Sequence, residues 1–201
     1  MAHRTVVNRT PAFPDWAGMA VMKAMRSAAM CLLAVVGLIA LAGCDSQTTG
    51  TYALEINGTW FTLEVAATPA AREKGLSGRE SIAEDGGMIF VFDTDEQRSF
   101  WMIDCLVDID IMYVDHSGYV VSTYTMEAQA PMQHGESREA YKDRIRRSSS
   151  HPSKGKARYV IELQAGMVEK LGIKRGDKID LDTKSLKTML DNADSGEGPN
   201  N

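Results

Sequence analysis

Three aspartates set close together, Asp104, Asp108 and Asp110, are the first residues in this sequence whose type and spacing could do chemistry. A hydrolase or transferase needs two carboxyls of separated pKa in one cleft, one acting as acid and the other as base. On an unbroken strand the three acids share one parity, while Ile103, Cys105, Val107, Ile109 and Ile111 share the other. The acids would then line one face and the apolar set would point inward. Cα atoms two residues apart on a strand are ~7 Å from each other, so the carboxylates would have to converge to share a proton or a metal. A solvated acidic face is the simpler reading. Arg79, after Gly75-Leu76-Ser77-Gly78, could clamp a carboxylate or phosphate with its guanidinium, or hold an internal acid such as Asp110. The internal pair is the expectation. Trp101 offers a surface for ligand stacking, though a tryptophan in a strand reads first as packing. Arg79, Trp101 and Asp110 are thus the candidate ligand-binding residues, and Asp104, Asp108 and Asp110 the alternative catalytic set.

Other chemistries find no support. His3, His116, His134 and His151 have no metal-ligand spacing, and no Gly-rich phosphate loop is present, so neither a metal nor a cofactor is expected. Ser77 is no nucleophile elbow, because Gly-Leu-Ser-Gly lacks the glycine two places after the serine. Met88, Met102 and Met112 read as core fillers. The cysteines are Cys31, Cys44 and Cys105, and Cys105 reads as a small core residue. Beyond Gly43 the 22 bases and 27 acids of the chain fall to 18 and 26, a net charge of −8. That balance argues against nucleic-acid binding, which needs a basic footprint on phosphates.

The first 43 residues read as a signal peptide, with later starts available at Met19, Met22 and Met25. Lys23 and Arg26 precede an apolar run from Ala28 to Leu41. The run is shorter than the ~20 residues that cross a hydrocarbon core. It ends in Leu41-Ala42-Gly43-Cys44, which resembles the lipobox of bacterial prolipoproteins. The resemblance implies lipidation at Cys44 and a membrane partner through that anchor, stable because more than one acyl chain is buried. It places the rest of the chain outside the cytoplasm. Asp45 resembles an inner-membrane retention signal where the enteric sorting rule applies.

Residues 44–50 read as a lipidated polar tether. Strands are expected at 52–56 and 59–66 around the Asn57-Gly58 turn, then at 88–92, 98–104, 109–114, 119–126, 157–163 and 178–181. Short helices are expected at 70–74, after Thr68-Pro69, and at 165–171. The stretch 128–156 reads as a basic excursion with one helical turn near 138–145, and 183–201 as a polar, largely disordered tail. The fold class expected for 51–182 is α+β, mainly β: a compact small barrel or sandwich-like domain with short helices.

Several segments carry a family resemblance: Glu64-Val65-Ala66, Gly75-Leu76-Ser77-Gly78-Arg79, Gly87-Met88-Ile89-Phe90-Val91-Phe92, Phe100-Trp101-Met102, Asp108-Ile109-Asp110-Ile111, Ala157 to Leu163, and Gly172-Ile173 to Gly176-Asp177. In order and spacing they resemble the DUF192 (UPF0127) family from about Tyr52 to Leu181. The resemblance implies a compact β-rich domain and says little about activity. The chain departs from the family pattern at Ile103-Asp104-Cys105, at Asp108, and in the longer, more basic excursion. The expected function is an envelope lipoprotein of non-catalytic kind, binding a small or glycan-like ligand or an envelope protein near Arg79, Trp101 and Asp110. An acid/base enzyme using the aspartates and an envelope scaffold without a pocket are the alternatives.

Overall fold

The computed structural model describes residues 48–195. The signal peptide, the lipidation site Cys44 and the first part of the tether lie outside the described residues, as does the end of the tail. At the end of the tether Thr49 and Gly50 bond to the backbone of Val65. Strands β1 (Thr51–Ile56) and β2 (Thr59–Ala66) form the expected hairpin, with Asn57 and Gly58 both at positive φ, as this tight turn requires. Helix α1 (Pro69–Lys74) follows, capped by the Thr68 hydroxyl, which accepts from the Ala71 N–H at 3.1 Å.

The next strand corrects the sequence reading. In place of two short strands, β3 is one strand of 15 residues, Gly86–Phe100. Its polar middle, Asp93 to Gln97, keeps strand geometry because β3 pairs antiparallel with a second long strand, β6 (His151–Gln164), through two register shifts. Residues 101–108 are irregular, and β4 (Ile109–Val114) and β5 (Val120–Met126) complete the sheet. Its order is β1-β2-β3-β6-β4-β5, with β2 and β3 parallel and the other neighbours antiparallel. The fold is mainly β, an open six-stranded mixed sheet with a few short helices, compatible with the sandwich-like form of the expected α+β class. The sheet does not close into a barrel.

Both faces of the sheet are covered, so its central strands are apolar at nearly every position. Phe61, Leu63, Ile89, Val91, Met112 and Ile161 face one core, closed by helices α3 (Met167–Lys170) and α4 (Thr183–Ser195). Helix α4 replaces most of the expected disordered tail, because Leu186 and Leu190 fall on one helical face and are buried. The basic excursion likewise contains an 11-residue helix, α2 (Arg138–Ser148), capped by the Ser137 hydroxyl and anchored by buried Tyr141 and Ile145. Residues 178–181 contribute only a single bridge, between Tyr119 and Lys178, where a strand is expected. The second core contains Leu76, Met88, Phe90, Met102, Cys105, Ile109, Ile111 and Tyr113. The candidate site lies on this second face.

Candidate functional site

A cleft of about 710 Å³ opens on that face between α1, the far half of β3, the 101–105 loop and α2. Its walls are aromatic. Phe90 and Phe100 meet edge to face at 4.8 Å, and Phe92 lies under the Arg98 guanidinium at 3.8 Å and near that of Arg72 at 5.0 Å. Trp101 stands at the rim, 40% exposed, with the Arg146 guanidinium 5.2 Å from its ring. Such volumes and linings are typical of small-molecule sites.

The loop that carries Trp101 is held from two sides. Ser149 accepts from the Met102 N–H at 3.1 Å, and Tyr141 of α2 accepts from the Asp104 N–H at 2.9 Å. From the other side the Gly78 N–H donates to the Asp104 carbonyl and the Ser77 hydroxyl to the Ile103 carbonyl, both at 2.8 Å. These bonds fix Asp104 at a positive φ of 57°, where a non-glycine residue is uncommon. The Asp104 carboxylate takes both arms of Arg138, and this hydrogen-bonded pairing draws its pKa below the usual carboxylate range.

Glu162 forms the floor. It lies at the middle of one cross-strand row, Glu64–Met88–Glu162–Ile111–Tyr124, and is only 5% exposed. Burial alone pushes its pKa from 4.5 to about 8, with neither a hydrogen bond nor an opposite charge offsetting it. The acid is therefore mostly protonated near neutral pH. Gly75 ends α1 at a φ of 50°, a conformation that favours glycine, and a Cβ there would make ordinary contact, 3.4 Å from Phe90 and 4.0 Å from the Glu162 Oε2. Beside the floor, burial pushes the Cys105 thiol up to about 12, with the Glu162 charge a smaller contribution.

The nominated residues are only partly gathered here. Trp101 and Asp104 line the cleft, whereas Arg79, Asp108 and Asp110 do not. Arg79 corrects the expectation of a pair with Asp110: its guanidinium forks onto Glu64 at the β2 end of the Glu162 row. Asp110 is buried on the opposite face, accepting from the Thr125 hydroxyl and the Val168 N–H, each at 2.7 Å. It caps α3, whose own N-cap, Gly166, has no side chain to do so. Asp108 accepts from the Ala128 N–H at 2.8 Å. The three aspartates therefore do not converge, because the 101–108 loop breaks the strand alternation. Among the described residues no group of three or more His, Cys, Asp or Glu is placed to hold a metal ion. No helix among them is long and apolar enough to cross a membrane.

Sequence reasoning missed Glu162 and the cationic wall. Both left signals. Glu162 is a lone acid in the apolar run Tyr159 to Leu163, and Arg138, Lys142 and Arg146 fall at i, i+4 and i+8, one face of a helix.

The fold and site define an open mixed-sheet α+β domain with a ligand-sized cleft built from loop, strand and helix. The family model confirms where this architecture belongs: the chain is a member of the DUF192 family, described as an uncharacterized ACR, whose model matches residues 52–181. No curated protein matches the chain. Two solved structures are similar to it. One is a protein of unknown function from Novosphingobium aromaticivorans, 28% identical over 65% of this chain and 82% of that one, with a TM-score of 0.49. The other is a candidate transcription regulator from Sinorhizobium meliloti, 27% identical over 65% of this chain and 90% of that one, also with a TM-score of 0.49.

Proposed function

We propose that this protein is an envelope lipoprotein, anchored to the membrane through Cys44, whose DUF192 domain binds a small or glycan-like ligand in the cleft without transforming it. The observation that carries the binding reading is the cleft itself: aromatic walls, a charged mouth, and a loop bonded on both sides so that its shape exists before a ligand arrives. The non-catalytic part rests on the dispersal of Asp104, Asp108 and Asp110 and on the pairing of Asp104 with Arg138, which occupies the one aspartate that shares the cleft with Glu162. The anchor rests on Leu41-Ala42-Gly43-Cys44 following the apolar run. Asp45 favours the inner membrane.

Two experiments test the two halves. A fragment mixture added to isotopically labelled protein should shift amide resonances of Gly75, Trp101 and Cys105 together, and leave β1 and α4 unmoved. Absence of any shift at the cleft, or shifts scattered over the surface, rejects the binding reading. In cells, wild-type chain should incorporate a fatty-acid analogue and Cys44→Ser should not; equal labelling of the two rejects the anchor.

A further inference from the structure

The floor and the mouth of the cleft have opposite characters, and together they specify what the ligand must offer. At the floor, the Glu162 carboxyl is enclosed by Met88, Ile111 and Phe90 and is approached by Gly75 and Cys105. Among the described residues it has no hydrogen-bond or ion-pair partner. A buried polar group without a partner is costly, so an open donor and acceptor at the base of a cavity need an explanation. At the mouth stand Arg72, Lys74, Arg138, Lys142 and Arg146, against the acids Glu73 and Asp104. Asp104 is already neutralised by Arg138, and Arg146 lies 3.8 Å from Asp143, so Arg72 and Lys142 against Glu73 leave the mouth net positive. A cationic ligand able to pair with an ionised Glu162 would have to pass it. Between floor and mouth lie the side chains of Phe92, Phe100 and Trp101, with Arg72 and Arg98 over the Phe92 ring and Arg146 over that of Trp101.

We infer that the cleft takes a ring-sized hydroxycarboxylate, its carboxylate held at the mouth by Lys142 and Arg146, its ring among the side chains of Phe92, Phe100 and Trp101, and its hydroxyl bonded to the carboxyl of Glu162. The inference rests on the cleft being a binding site and adds the class of ligand. Aromatic and sugar rings both satisfy the chemistry.

Affinity should then depend on the proton of Glu162, because ionising it would set a second anion in the cleft and remove the donor. The groups that face Glu162 are Tyr113 and Cys105 beside it, Glu73, Lys74 and Arg72 from α1, Asp104 from the loop, Arg138, Lys142 and Arg146 from α2, and the Arg79–Glu64 pair at the end of its row. Burial holds Cys105 at about 12 and pushes Tyr113 upward, so neither ionises in the range tested.

The test is titration calorimetry on the purified full-length chain with four probes: 4-(hydroxymethyl)benzoate, D-glucuronate, 4-methylbenzoate, which lacks the hydroxyl, and 4-(hydroxymethyl)benzylamine, which carries the opposite charge. At about pH 6 one of the two hydroxycarboxylates should bind with a Kd on the order of 1 mM or tighter, and the winner tells an aromatic from a sugar ring. That probe should weaken about thirtyfold by about pH 9.5, where some 3% of a group titrating near 8 stays protonated. Glu162→Gln should abolish the pH step, and Arg146→Glu, on the exposed rim, should weaken the anion without moving that step. Preference for the amine, equal binding of 4-methylbenzoate, or affinity independent of pH overturns the inference and leaves the binding reading standing. So does silence from all four probes when the fragment mixture still shifts the cleft. Silence in both experiments overturns the two together.

Discussion

Exchanging Glu162 for Gln keeps the size of the side chain and removes its ionisation, so the variant isolates what that ionisation costs the fold. The folded-state pKa is raised, from 4.5 to about 8, which means that the native state holds this proton more tightly than the unfolded chain does. Below about pH 4.5 the acid is neutral in both states and costs nothing through ionisation. As pH rises toward about 8 the unfolded chain releases its proton and the folded one does not, so stability falls; above about 8 the penalty is constant. At 1.36 kcal/mol per pKa unit, the native state loses on the order of 1 kcal/mol at about pH 5, ~3 at about pH 7 and between ~4 and ~5 at about pH 9. These are upper values, because water entering the cleft would solvate part of the charge. Urea unfolding of the two proteins at a series of pH values measures it. The amide has its own cost of burial, which does not vary with pH, so the informative quantity is the change in the stability difference. Glu162→Gln should gain on the wild type by roughly 3 kcal/mol between about pH 5 and 9. A difference constant to within ~0.5 kcal/mol would falsify the account of Glu162 as a buried acid without a partner.

Three further outcomes follow from the same geometry. Arg79 and Glu64 are partly exposed at 40% and 30%, so a double-mutant cycle on this pair should give a coupling between ~0.2 and ~1 kcal/mol, and a cycle of Arg79 with Asp110 should give none. A strong Arg79–Asp110 coupling would contradict the placement of the two on opposite faces. Asp110→Ala leaves the Thr125 hydroxyl and the Val168 N–H without their acceptor and should lower the unfolding free energy by about 1 to 3 kcal/mol; a loss indistinguishable from zero would remove its capping role. Cys105, buried with its thiol raised to about 12, should stay unlabelled by a thiol reagent at neutral pH until urea unfolds the chain, and rapid labelling of the native protein would refute that environment.

Local grammar carried much of the fold into the sequence. The Asn57-Gly58 hairpin and the Thr68-Pro69 helix start were legible because each depends on backbone chemistry within a few residues. Long-range pairing was not. The polar stretch Asp93 to Gln97 reads as a loop until β6 supplies its partner, and Asp104 leaves the strand alternation only because Tyr141 and Gly78, 37 residues after it and 26 before it, bond to its backbone. The same limit hid the site. Trp101 and Asp104 were visible as chemical types, but that they share a cleft with α2 follows from the fold of a segment whose charge made it look like a solvated excursion. Arg79 was assigned a partner by sign of charge alone, and sign cannot separate Glu64 from Asp110, which point to opposite faces of the sheet.

The central strand of a sheet covered on both faces is the place where an acid is hardest to explain by stability. Leu or Met at position 162 would continue the row of Met88 and Ile111 and remove the desolvation cost. The neighbours do not relieve that cost: Arg79, at the β2 end of the row, is bonded to Glu64, and Arg138 is bonded to Asp104. Each nearby guanidinium with a close acid partner is thus taken by an acid other than Glu162, which keeps its carboxyl neutral and its hydrogen-bonding capacity open to the cleft. An acid without a close partner at the base of a ligand-sized cavity gives up stability there, as binding sites tend to do. Chemistry or binding at the DUF192 cleft is therefore to be sought at Glu162 before the three aspartates.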